Sequence, residues 1–204
     1  MYNTDKIMEK RMKNTNELPE GYKEFYKIDL QNDKKTNVFI QVAGVLIMLL
    51  MGTIGSIFIP LTKFLDYHDG LKYGFIKLAI IAVGALLCIL ISLLLQSIFI
   101  GWFIKTKIQY GYTGTYAYAK GDAYFNKKSY TIISLAPMII IGIVLLIFNF
   151  IVGTAYFWWV YFFHIVNIAA PFDRMYVVYK LSKFPKDILI KDDGASMTVY
   201  SRSK

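Results

Sequence analysis

Charge is what this sequence lacks over long stretches. Of its 204 residues, 27 in a row between Lys35 and Lys63, 27 between Lys77 and Lys105, and 44 between Lys128 and Asp173 carry none. A soluble domain places charged side chains on its surface every few residues, so runs of this length exclude one. Cysteine is nearly absent as well: Cys88 alone, in the middle of the second run, rules out a disulfide framework. Histidine occurs twice, as His68 and His164, and no glutamate follows Glu24. Few groups therefore remain for acid–base or metal chemistry beyond the N-terminal segment. Disorder is excluded from the other side, because 56% of the residues are hydrophobic.

What is present in the uncharged runs is apolar. A spanning helix takes about 20 apolar residues to cross a hydrocarbon core of about 30 Å. The first two runs hold one such helix each and the third holds two, at about Val38 to Pro60, Phe75 to Ile104, Tyr130 to Ile151 and Thr154 to Ala170. Gly153 carries the short turn between the last two. The expected fold is an all-α polytopic membrane protein, with four transmembrane helices and small cytoplasmic β-hairpin elements. Its parts are a cytoplasmic polar tail at 1–36, a four-helix transmembrane domain at 37–174 with a cytoplasmic loop at 105–129, and a cytoplasmic basic tail at 175–204. No short apolar stretch with a small-residue cleavage site follows the basic residues of the first tail, so it does not read as a signal peptide.

The net charge of +9 is distributed by segment. Eight Lys and Arg lie in the first tail, five between spans two and three, and seven after Phe172; the opposite side holds Lys63, Lys72 and Lys77. A bias of 20 to 3 puts both termini in the cytoplasm by the positive-inside rule. The same excess faces anionic lipid, worth about 1 kcal/mol per basic residue near the headgroups. Nucleic acid is set aside as a partner, because seven acids accompany the eight bases of the tail and no recognition module is visible.

Two cytoplasmic segments read as extended. From Ile108 to Ala119, Tyr110, Tyr112, Tyr116 and Tyr118 recur at even spacing around Gly111 and Gly114, the pattern of a hairpin at a membrane surface. These tyrosines suit an interfacial belt or the edge of a peptide-binding strand. Near the C-terminus, Ile188 to Ile190, Asp193-Gly194 and Met197 to Tyr200 form a second strand–turn–strand pattern.

Polar side chains inside spans are costly and mark function or helix contact. The second span ends Gln96-Ser97-Ile98-Phe99-Ile100-Gly101, with Gln96 and Ile100 one turn apart on one face. The fourth carries His164 and Asn167 on one face, followed by Pro171 and Asp173. Gln96 lies about 12 Å and His164 about 9 Å from the cytoplasmic ends of their helices, at similar depth. Read bottom-up, His164 is a neutral imidazole bonded to Gln96, Asn167 or a backbone carbonyl; Asp173 either caps the basic segment from Arg174 to Lys183 or serves a site. His68 reads as a turn residue and Asn149 as a cap for the Gly153 turn.

Leu18-Pro-Glu-Gly-Tyr-Lys-Glu24, Gly101-Trp-Phe-Ile-Lys105, Tyr110-Gly-Tyr112, Ala123-Tyr-Phe125, Leu135-Ala-Pro137, and Phe184-Pro-Lys-Asp-Ile188 followed by Asp192-Asp-Gly194 occur in that order around the four-span layout. In this the chain resembles the zincin-peptidase family of bacterial membrane proteins, a domain of unknown function akin to site-2-type intramembrane metallopeptidases, over about Leu18 to Tyr200. The resemblance implies a bacterial cell-membrane location. It also implies a His-Glu-x-x-His-Gly motif on the second span and an acidic residue after the last, in which two His bind zinc and the Glu activates its water. Aligned through Gly101 to Lys105, the motif falls on Gln96, Ser97, Ile100 and Gly101, and the acidic position on Asp173. Gln96, Ser97, Ile100, His164 and Asp173 are therefore the candidates for a vestigial site, with no catalytic residue, no metal and no cofactor expected.

Three functions follow. The leading one is a non-catalytic binding or regulatory protein on a zincin-like scaffold. Its partners would be the lipid bilayer and a membrane protein or peptide, as in regulation of a protease or immunity to a membrane-active peptide. The second is a hydrolase without zinc, using Ser97 and His164 as a dyad. The third, a small transporter, has no intramembrane charge or repeated broken helix to support it.

Overall fold

The computed structural model describes residues 14–30, 32–65, 70–112, 117–194 and 196–202. Four helices form a bundle: α1 (Lys34–Phe58), α2 (Gly70–Phe103), α3 (Lys127–Ile151) and α4 (Gly153–Ala169). At one end stand a shorter helix, α5 (Phe172–Ser182), and six strands: β1 (Tyr22–Asp29), β2 (Ile108–Tyr112), β3 (Ala117–Gly121), β4 (Tyr124–Asn126), β5 (Leu189–Asp192) and β6 (Ser196–Arg202). Three of the helices, α1, α2 and α3, are long and apolar enough to cross a membrane. Their apolar side chains point outward as well as inward, with Leu49, Leu78, Leu94 and Phe150 all exposed. Such a surface suits a hydrocarbon surround. The fourth helix forms where the fourth apolar run lies; it has 17 residues, about 26 Å of rise.

The expected all-α class needs correction. Besides the β2–β3 hairpin there is a four-stranded antiparallel sheet in the order β1-β6-β5-β4, so the molecule is helical with a sheet layer at one end. The C-terminal hairpin forms as the pattern indicates, turning at Gly194 (φ 85°) with the Asp193 amide on the Ser196 carbonyl at 2.9 Å. It does not stand alone, because β1 from the N-terminal segment pairs along β6, from Tyr22 opposite Arg202 to Asp29 opposite Ser196. A bulge between Glu24 and Tyr26 turns the rings of Phe25 and Tyr26 onto Phe184, with centroids 5.6 Å and 5.2 Å away.

The sheet layer has its own core. Ile28, Leu30, Phe125, Ile188, Ile190 and Val199 pack with Val177 and Leu181 of α5 and with Ile100, Tyr130 and Ile133 at the feet of α2 and α3. Asp173, Val177 and Leu181 recur every four residues, which gives α5 a single buried stripe. Full burial of one such aliphatic side chain is worth about 1.5–3 kcal/mol, enough to fix the sheet on the bundle. Asn14 ties the join: its side-chain oxygen accepts from the Asn126 backbone and amide (3.0 and 2.9 Å), while its own amide reaches the Phe103 carbonyl and Ser129 Oγ. Asn126 in turn caps α3 by accepting from the Ser129 amide at 2.9 Å.

Within the bundle α1 and α4 run antiparallel. Gly44 lies against the Ala169 carbonyl, and Gly55 admits the rings of Tyr161 and Trp158. Tyr161 Oη donates to the Met51 carbonyl (2.9 Å) and Trp158 Nε1 to the Ile59 carbonyl (3.0 Å). The α3–α4 turn depends on Gly153 at φ 68°. Asn149 does not cap that turn: its side-chain oxygen is buried and finds no partner among the described residues. His68 and Tyr116 lie outside the described residues.

Candidate functional site

On α2 a stripe of side chains one turn apart, Cys88, Ser92, Gln96 and Ile100, faces the other helices. The three nearest the mid-bundle carry polar or sulfur atoms, and the fourth does not. A cavity of about 160 Å³ opens beside its upper part, lined by Cys88, Ser92, Leu93, Asn167, Asp173 and Arg174 among others. It joins α2, the end of α4 and the start of α5, so it brings Asn167 and Asp173 together. Gln96 and His164 do not line it.

Each candidate has a definite environment. Gln96 is buried with its side-chain oxygen unpartnered among the described residues, and His164 is buried with Nε2 in the same condition. The His164 ring bonds the backbone at Leu145, on α3, rather than Asn167. Asn167 donates to the Met138 carbonyl at 2.9 Å, passing beside Gly142, where a Cβ would stand 3.3 Å from its amide nitrogen. Ser97 Oγ donates to the Leu93 carbonyl of its own helix at 2.8 Å. Ile100 is 2% exposed and belongs to the hydrophobic core of the sheet layer. A Cβ added at Gly121 would meet its Cγ2 at 2.8 Å, so the chain between β3 and β4 closes directly over it.

Asp173 is buried in the first turn of α5. Desolvation pushes its carboxyl above the ordinary range, against the pull of the Arg174 charge and of the Arg174 and Asp173 backbone amides. The carboxylate thus meets its helix N-terminus and the cavity at once, and both readings of it, cap and site residue, have a physical basis. Cys88, Ser92 and Arg174 enter the cavity without having been singled out as a set. Their signal was the four-residue spacing of Cys88, Ser92 and Gln96, which a search for ligand motifs passes over.

The family model described as "Putative zincin peptidase" matches residues 85–189, half of the chain. The chain belongs to this zincin-peptidase family. The match begins in mid-α2 and ends at the first residue of β5, so it contains the cavity, Gln96 to Gly101, α3, α4 and Asp173. No curated protein and no solved structure matches the chain. Zinc chemistry of the zincin kind requires three protein donors around one point and a base beside them. The side chains here do not fit that requirement: Ile100 has no donor atom, Ser97 bonds its own helix, and among the described residues no three His, Cys, Asp or Glu converge.

Proposed function

We propose that this zincin-peptidase family member is a bacterial cell-membrane protein of four spans that keeps the family scaffold, has lost the metal site at Gln96, Ser97 and Ile100, and works by binding a membrane protein or peptide. The observation that carries the loss of catalysis is Ile100. A position expected to hold a metal ligand is filled by a side chain embedded in a hydrophobic core, which a metal could not enter without unpacking it.

Strand pairing supports the four-span topology. The four-stranded sheet draws β1 from before α1, β4 from between α2 and α3, and β5 and β6 from after α4. Strands of one sheet lie on one side of a bilayer, so an even number of crossings separates them. With α3 of membrane length, α4 returns the chain, and its 26 Å suffice with slight local thinning. The 20-to-3 charge bias supports a cytoplasmic side for the sheet and both ends.

The Ser97–His164 hydrolase reading is weakened by the Ser97 hydroxyl, whose proton is engaged by the Leu93 carbonyl. The deciding experiment is zinc analysis of the purified chain together with a cleavage assay on a transmembrane peptide. The expected result is zinc far below stoichiometry and no turnover. Stoichiometric zinc with turnover abolished by Asp173→Ala would overturn the proposal.

A further inference from the structure

Asp173 stands between two hollows. One is the cavity of about 160 Å³; the other is a groove of about 410 Å³ between α1 and α4, and the two share Val166, Ala170 and Asp173. From the sheet end the groove follows α1 past Asn37, Gln41, Gly44, Val45 and Met48.

Its section limits what can occupy it. From Asn37 to Met48 α1 rises about 17 Å, so the groove is long for its volume. A helix with side chains is about 10–12 Å across and is wider than the groove. One extended hydrocarbon chain fits. Beyond Met48 the way is closed by Tyr161, whose hydroxyl bonds the Met51 carbonyl and whose ring covers Gly55.

The two ends of the groove differ in chemistry. Val45, Met48 and Val166 make the walls toward mid-bundle apolar, while the end beside the sheet gathers acceptors. Asp173 is 7% exposed and has no cation within ion-pair distance among the described residues. Arg174, whose charge acts on it, lines the cavity and not the groove. The Gln41 amide donates to Asn37 Oδ1 at 2.6 Å and the Asn37 amide to the Leu30 carbonyl at 3.2 Å, which leaves the Gln41 carbonyl oxygen open as an acceptor among the described residues. The head of the groove thus offers a carboxylate and an amide oxygen to a donor.

We infer that the groove holds one acyl chain of a bilayer lipid whose headgroup ends in a primary ammonium, with that ammonium on Asp173. The inference rests on the reading that the site holds no metal: a buried carboxylate without a metal to face is stabilised by a cation that can also donate hydrogen bonds. A trimethylated headgroup has the charge without the donors, and phosphatidylglycerol has neither.

The test reconstitutes the full chain with equal amounts of phosphatidylethanolamine, phosphatidylcholine and phosphatidylglycerol of matched chains, and counts lipids retained in native mass spectrometry. We expect one phosphatidylethanolamine retained over phosphatidylcholine by about tenfold, the scale of a charge-assisted hydrogen bond. Asp173→Asn should bring that ratio to near one. Val45→Trp, at a half-exposed position, should expel lipid of any headgroup from the groove. Equal retention of the three lipids, or a preference unchanged by both variants, would overturn the inference. Zinc measured in the same samples separates the two claims: stoichiometric zinc overturns the metal-free reading, whereas zinc-free protein that retains no phosphatidylethanolamine overturns the lipid site alone.

Discussion

Ile100 sits where α2 leaves the bundle and meets the sheet layer, and its surroundings give the cost of changing it. It touches Gly121 on one side and belongs to the core that includes Phe125 and Tyr130 on the other. Ile100→Ala should lower stability by about 2–5 kcal/mol through the cavity it leaves, measured by urea unfolding in detergent. Ile100→His should also destabilise, since an imidazole there finds no hydrogen-bond partner in an aliphatic core, and it should not raise zinc content on its own. Asp192 gives a pH signature in the sheet layer. Its carboxylate accepts from Gly194 N at 2.7 Å and Tyr130 Oη at 3.2 Å, yet burial pushes its pKa above the ordinary value. A carboxyl whose folded pKa is raised favours folding fully below its unfolded value of about 4, and that contribution is lost as pH rises through the folded value. Asp192→Asn, which does not titrate, should therefore gain on the wild type between about pH 4 and pH 7. Denaturant midpoints at the two pH values check this, and a gap that moves the other way refutes it. At this scale the sequence indicated the positions of the candidates but not their partners. The spacing put His164 and Asn167 on one face, whereas the backbone atoms they bond, at Leu145 and Met138, belong to α3 and depend on how that helix is turned.

Among elements, the bundle helices were legible because long uncharged apolar runs stand out by length and composition, and the turn at Gly153 because positive φ favours glycine. Strand β1 was not. Its residues, Tyr-Lys-Glu-Phe-Tyr-Lys-Ile-Asp, mix charge with aromatics, a bulge breaks the period of two, and the partner that makes it a strand lies at the far end of the chain. Helix α5 was hidden for a different reason: its buried stripe is only three residues wide in an otherwise polar segment. The β2–β3 hairpin was legible, but not what Tyr118 does there. Its ring lies over both Gly111 and Gly194 and so locks the hairpin to the β5–β6 turn. Gly194→Ala would place a methyl group into that ring at φ 85°, where a Cβ is strained in any case. Amides of β2 and β3 should then exchange about tenfold faster, the effect of losing about 1.4 kcal/mol of local stability. At the other junction, Asn126→Ala removes the α3 cap and should cost about 1 kcal/mol.

For the whole molecule, the sheet is the device that makes topology testable. In a Cys88→Ser background, single cysteines at Lys23, Lys120 and Ser201 should all react with an impermeant thiol reagent from the cytoplasmic side only, and one at Lys63 only from the opposite side. Labelling of Lys23 and Ser201 from different sides would refute both the pairing of β1 with β6 in the membrane and the four-span reading. Composition alone indicated the membrane and the charge bias; it could not indicate that the two terminal segments meet, because nothing local in either one specifies the other.

That meeting has a consequence for how the protein is made. Tyr22 leaves the ribosome 180 residues ahead of its partner Arg202. At about 5–20 residues per second, β1 waits roughly 10–35 s with an unpaired edge and two exposed aromatic rings while the four bundle helices are synthesised. The four-stranded sheet therefore closes only after β6 has been made. A chain halted before β6 would have every hydrophobic helix in place and still present β1 as an open strand to quality-control proteases.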